Sequence, residues 1–124
     1  KGKKKDVMSV KDRKKYARLL HKLFAFTEMD DKKGSKFLKF ADKKCLHAVC
    51  ECLLNAVFSN EILSEDQKKY LSREFTNSQN DLGKIVFRKM TDTGRKKLCV
   101  RNQEVIKCIL KWCIPFLTYV TSNV

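Results

Sequence analysis

His47 and Glu51 stand four residues apart, with Asn55 four further on. On a helix that spacing stacks an imidazole against a carboxylate on one face, the arrangement of an acid–base or metal pair. A lone pair of this kind recurs often by chance, so we read it as the polar edge of a bundle helix. His21 lies beside Leu20 and Lys22, with Arg18 one turn away, where a surface role is expected. Six thiols remain: Cys45, Cys50, Cys52, Cys99, Cys108 and Cys113. All sit in apolar, helix-like runs. If helical, Cys50 and Cys52 point about 200° apart, and Cys108 and Cys113 about 140° apart, from a 3.6-residue turn. Neither pair can jointly hold a metal, and no C-x-x-C occurs. The expected role is that of small core residues in a reducing compartment. No phosphate-binding glycine loop, nucleophile elbow or HExxH is present. The sequence therefore predicts no enzyme, no cofactor, no metal and no small-molecule substrate.

The cations are more informative. The chain of 124 residues carries 28 Lys and Arg against 14 Asp and Glu, a formal charge of +14. The excess is concentrated in residues 1–44, which hold 16 of the basic residues and 6 of the acidic ones. Lys11, Lys15, Arg18 and Lys22 recur at helical spacing, and Lys14 can join them. On a helix the first four form a stripe roughly 16 Å long within about 60° of arc. Lys3, Lys4 and Lys5 add charge on an N-terminal arm, residues 1–8, read as flexible. Such a field recruits polyanions. Lys far outnumbers Arg here, which favours contact with a phosphate backbone over the reading of base edges. Phe24, Phe26, Phe37 and Phe40 are interleaved with lysines, but their spacing suits core packing.

The elements that must carry these groups are helical. Four Gly and one Pro leave long unpunctuated stretches, and 43% apolar residues suffice for a core. Ser9 and Asp12 resemble a capping box opening a helix to about Phe26, with Tyr16, Leu19, Leu20 and Leu23 facing in. Residues 27–35 read as a polar connector and 37–40 as a short apolar turn. Asp42 should cap a nearly all-apolar helix, 43–58, ended by Ser59-Asn60. Ser64 and Gln67 form a second capping box for a helix to about Phe75, with Tyr70 and Leu71 inward. A helix over 77–89, a turn at Asp92-Thr93-Gly94, and a last helix over 103–121 kinked at Pro115 complete the chain. The expected fold is all-α: a single compact bundle of five or six helices over residues 9–124, centred on 43–58 and 103–121. The apolar stretch Val105–Val120 is too short and too charged to span a membrane. The chain opens on Lys rather than Met, and is read as a fragment or processed product.

The segments "KFLKFADKKCLHAVCECLLNAVFSNEILSEDQKKYL", "GRKKLCV" and "ILKWCIPFLTYV" together resemble a group of short, basic, helical proteins of adintoviruses (Polinton/Maverick-type animal viruses) and their integrated relics. The resemblance runs from Phe37 to Tyr119. It implies a virion- or DNA-associated structural protein acting in host nucleus and particle. Where that group has a Gly-rich step before the tail, this chain has Arg101-Asn102-Gln103, which predicts one continuous helix into the tail. The function expected is non-enzymatic binding of nucleic-acid backbone, DNA foremost, through Lys3, Lys4, Lys5, Lys11, Lys14, Lys15, Arg18 and Lys22. The alternative is a capsid-cementing or homotypic module that docks through Val105–Val120.

Overall fold

The computed structural model describes residues 10–58 and 63–122, with side chains except those of 10–13, 16 and 116–122. Within them the order is α1 (Val10–Thr27), α2 (Asp31–Lys39), α3 (Lys43–Val57), α4 (Glu65–Glu74), a 3-10 turn (Thr76–Ser78), α5 (Gln79–Phe87), α6 (Asp92–Arg101) and α7 (Gln103–Ser122). The class is all-α as expected, with seven α-helices among the described residues rather than five or six.

Local chemistry explains the starts. Asp30, Asp42, Ser64 and Thr91 each accept a hydrogen bond from the backbone N–H three residues on, filling a donor the first turn leaves vacant. At Ser64 the box is complete, because Gln67 Oε1 accepts from the Ser64 N–H at 2.9 Å. The Ser9 cap and the Ser59-Asn60 stop lie outside the described residues, as do Lys3, Lys4 and Lys5.

Three readings of the elements are corrected. Asp92-Thr93-Gly94 is not a turn but the first turn of α6, because Thr91 caps it by accepting from the Gly94 N–H at 3.1 Å. Residues 31–39 are helix α2, not a connector followed by an apolar turn. Gly34, which reads as a breaker, sits buried against α7: a Cβ there would collide with Gln103 Oε1. The glycine is kept for close helix approach, at a helix-propensity cost of about 1 kcal/mol. The helix into the tail is also not continuous. It breaks at Asn102, whose Nδ2 donates to Leu98 O at 2.8 Å and to Asp81 Oδ2 at 3.0 Å. The side-chain amide satisfies the α6 C-terminus and ties it to α5, which an uninterrupted helix could not do.

α7 packs across α1 and α3, while α2 lies on α6 and α5 on α3. The centre is built from Leu23 and Phe26 of α1, Val49 and Leu53 of α3, and Ile106, Ile109 and Leu110 of α7. Leu82 and Ile85 of α5 join them. Each fully buried aliphatic side chain contributes about 1.5–3 kcal/mol of transfer free energy. The two helices expected at the centre are there. Leu71 faces in as expected, but Tyr70 lies partly out, its ring edge-on to Trp112 at 5.8 Å. No helix among the described residues is long and apolar enough to cross a membrane. Pro115 lies inside α7, where it has no N–H to give the carbonyl of Lys111.

Candidate nucleic-acid interface

α1 turns Leu20, Leu23, Phe26 and Thr27 into the core. At 100° per residue this leaves Lys14, Lys15, Arg18 and Lys22 on an outward flank, and all four side chains are exposed. Lys11 lies on the same helix, one turn before Lys15. No carboxylate of the described side chains forms an ion pair with Lys14, Lys15, Arg18 or Lys22; the pairs present lie elsewhere.

The correction at α2 enlarges this surface. Once 31–39 is helical, Lys32, Lys36 and Lys39 fall within about 60° of one another, and all three are exposed, as is Lys33. Lys43 and Lys44 follow at the start of α3, also exposed. Sequence reasoning missed the α2 lysines because it assigned that segment to a connector and a turn; Lys43 and Lys44 it placed on the helix 43–58 without giving them a contact. The signal that would have found them is Asp30 three residues before Lys33, a cap ahead of an i, i+4, i+7 lysine pattern.

The acidic residues of this region are committed elsewhere. Asp30 caps α2 and Asp42 caps α3, each accepting at 2.8 Å. Asp31 Oδ1 lies 3.6 Å from Lys107 Nζ, and Glu28 Oε2 lies 3.5 Å from Lys111 Nζ. The cluster Glu28, Asp30 and Asp31, the densest acidic patch in the sequence, is thus used inside the molecule.

Two basic segments meet at the start of α3. Burial pushes the Cys45 thiol up, the Asp42 carboxylate adds to this, and the ammonium groups of Lys22 and Lys96 oppose it. Lys96 Nζ also donates to Lys39 O at 3.3 Å.

The four phenylalanines divide. Phe26 is fully buried and stacks on Phe37, centroids 5.0 Å apart. Phe24 and Phe40 are 49% and 81% exposed. The core reading holds for the first two and fails for the others: Phe24 lies on the far flank of α1, and Phe40 follows the last turn of α2 after the buried face has ended at Leu38.

The groups weighed for chemistry are elsewhere. His47 Nε2 lies 3.2 Å from Glu51 Oε1 on the outer side of α3, both exposed. The pair borders an open cleft of about 570 Å³ between α3, α5 and α6, with Lys43 and Lys44 at its rim and Leu54, Ile85 and Val86 along its wall. Among the described residues no group of three or more His, Cys, Asp or Glu could hold a metal. All six cysteines are free thiols. Burial pushes those of Cys52, Cys99 and Cys113 up to about 12, so they stay protonated and unreactive at neutral pH. The apolar stretch proposed for docking is largely interior: Val105, Ile106, Ile109, Leu110, Cys113 and Ile114 are buried in the chain's own core. The side chains of 116–120 lie outside the described residues.

Comparison with protein-family models, curated proteins and solved structures finds no match to this chain.

Proposed function

We propose that this protein is a non-enzymatic structural protein that grips the phosphate backbone of nucleic acid without sequence preference. DNA is the polymer expected. The observation that carries the reading is the row Lys14, Lys15, Arg18 and Lys22 of α1, exposed and without an ion pair among the described side chains, continued by α2 and the start of α3. Phosphate binding needs cations at fixed intervals on an ordered scaffold, so that little entropy is lost on contact. Helix α1 offers that scaffold for Lys11, Lys14, Lys15, Arg18 and Lys22. Lys3, Lys4 and Lys5 would extend the grip from the arm. The resemblance to adintovirus proteins supplies the setting: packaging or coating DNA in a virion or in host chromatin, in the nucleus.

The test is binding of an arbitrary labelled duplex across a salt series. Four neutralised phosphates give a slope of log affinity against log salt of about −3.6. Reversing Lys11, Lys15, Arg18 and Lys22 to Glu should abolish binding while far-UV circular dichroism stays unchanged. No binding by the native chain at low salt would sink the reading, and binding that survives the reversal would move the site off α1.

A further inference from the structure

We infer that the corner between α2 and α3 is a platform for unpaired nucleobases, with Phe40 as the stacking ring and Lys36, Lys39, Lys43, Lys44 and Lys96 as its phosphate contacts. The ligand class is single-stranded nucleic acid. This rests on the nucleic-acid reading above and specifies the form of the polymer.

Phe40 is 81% exposed, the largest exposure among the big apolar side chains described. Its neighbour in pattern, Phe37, has gone to the opposite fate on Phe26. The backbone beneath the ring is fixed, since Phe40 N–H donates to Lys36 O at 3.0 Å and Ala41 N–H to Leu38 O at 3.3 Å. A ring on a fixed backbone loses little freedom when a base settles on it. Four lysines within four residues of Phe40 are exposed. Lys96 arrives from α6 through its hydrogen bond to Lys39 O. The one carboxylate in residues 36–44, Asp42, is turned to the Cys45 N–H. Four exposed lysines within four residues of an open ring, and a fifth bonded to the carbonyl of the residue before it, thus accompany a stretch whose one carboxylate is occupied.

That combination of charge and aromatic face suits a strand whose bases are unstacked. A duplex offers the lysines its phosphates but keeps its base faces covered, so it cannot use the ring. An apolar partner surface could cover the ring, but the lysines that accompany it would have to be desolvated with it.

The experiment measures affinities of the full chain for labelled oligothymidylate and oligouridylate of about 12 nucleotides, inside the ~4–16 nucleotide span of single-strand platforms, and for a hairpin duplex. Phe40→Ala should weaken both single strands by about ten-fold, within the roughly 5- to 150-fold that one stacked base supplies. Phe40→Tyr should restore them, and the hairpin should change by less than about two-fold in both variants, because no stacking is lost there. Loss on oligothymidylate alone or oligouridylate alone would assign the platform to DNA or to RNA. Unchanged single-strand binding in Phe40→Ala, or equal loss on strand and hairpin, would overturn the platform and leave the backbone reading standing. A Phe40→Ala chain that sediments as a smaller species than the native one would also overturn it, by showing the ring to be a contact between copies. Failure of the native chain to bind any of the three probes at low salt would remove both.

Discussion

Lysines on α7 and lysines on α1 and α2 carry the same charge and meet opposite fates. Lys107 is only 7% exposed. Its ammonium donates to Met29 O at 2.8 Å, lies 3.6 Å from Asp31 Oδ1 and sits 5.6 Å from the centre of the Phe26 ring. Lys111, one turn on, reaches Glu28. Both therefore serve the segment that joins α1 to α2, where carbonyls at the end of a helix attract positive charge. Lys14, Lys15, Arg18 and Lys22 are exposed and form no ion pair with a described carboxylate, and the same holds for Lys32, Lys36 and Lys39. The contrast separates cations that hold the fold from cations left for a partner. It also explains why +14 is a poor guide by itself: the sum does not say which charges are already spent.

The contrast can be broken by exchanging its two predicted outcomes. The largest effect is expected on α1. Reversing Lys11, Lys15, Arg18 and Lys22 to Glu should lower duplex affinity by more than about 10³-fold at low salt, by removing attraction and adding repulsion, with the melting temperature little changed. Lys107→Ala should do the opposite. It removes packing over Phe26 and leaves the half-buried Met29 without a donor at its carbonyl, a loss of about 2 kcal/mol. The figure is kept below that for a fully buried ion pair because Asp31 is exposed and can be hydrated. Denaturant midpoints and anisotropy on the folded protein read both quantities. If Lys107→Ala leaves stability intact, or the α1 reversal unfolds the chain, the division between the two sets is wrong.

Gly34→Ala probes the joint between the two regions from the other side. The added Cβ would displace Gln103 Oε1 and press within 3.2 Å of Lys107 Nζ. Gln103 Nε2 donates to Ser35 Oγ at 2.9 Å, and its Oε1 is buried without a partner, so the side chain is held tightly between α2 and α7. Overpacking there should cost about 1–2 kcal/mol even after the propensity gain of alanine. A stabilised variant would mean that Gln103 swings away freely and that the α2–α7 contact is loose.

What the sequence disclosed and what it hid follow from the same physics. Caps at Asp42 and Ser64 were legible because each rests on a local hydrogen bond between residues three apart. The central helices were legible because a buried helix must be apolar on most faces. α2 was hidden: Gly34 and the run Asp30-Asp31-Lys32-Lys33 look like a loop, and only packing against Gln103 and Lys107, some seventy residues downstream, makes a helix with glycine at its interface worthwhile. The start of the last helix at Gln103 was legible, but the helix before it, α6, and its tie from Asn102 to Asp81 were hidden, since Asp81 is distant in sequence. The α1 half of the candidate surface was therefore readable, and the α2 half was not. The split of Phe37 from Phe40 needed the helix end to be located first.

Whether α2 belongs to the same binding surface is the finest question and carries the smallest effect. If only the four stripe residues of α1 touch phosphates, the salt slope of the native chain is about −3.6; with Lys32, Lys36 and Lys39 added it approaches about −6.3. Replacing those three with Ser should then flatten the slope by about 2.7 and weaken binding modestly near physiological salt. Helix α2 should persist, because its cap at Asp30 and its buried Leu38 are untouched. An unchanged slope would confine the grip to α1 and leave the α2 lysines as a solvated edge. A change in slope larger than the α1 residues produce would reverse the ranking, making the element that sequence reasoning took for a loop the main contact. Length favours α1: its cations, Lys11 to Lys22, run over about three helical turns against about two for Lys32 to Lys39 of α2, so α1 can follow more of a phosphate chain without bending it.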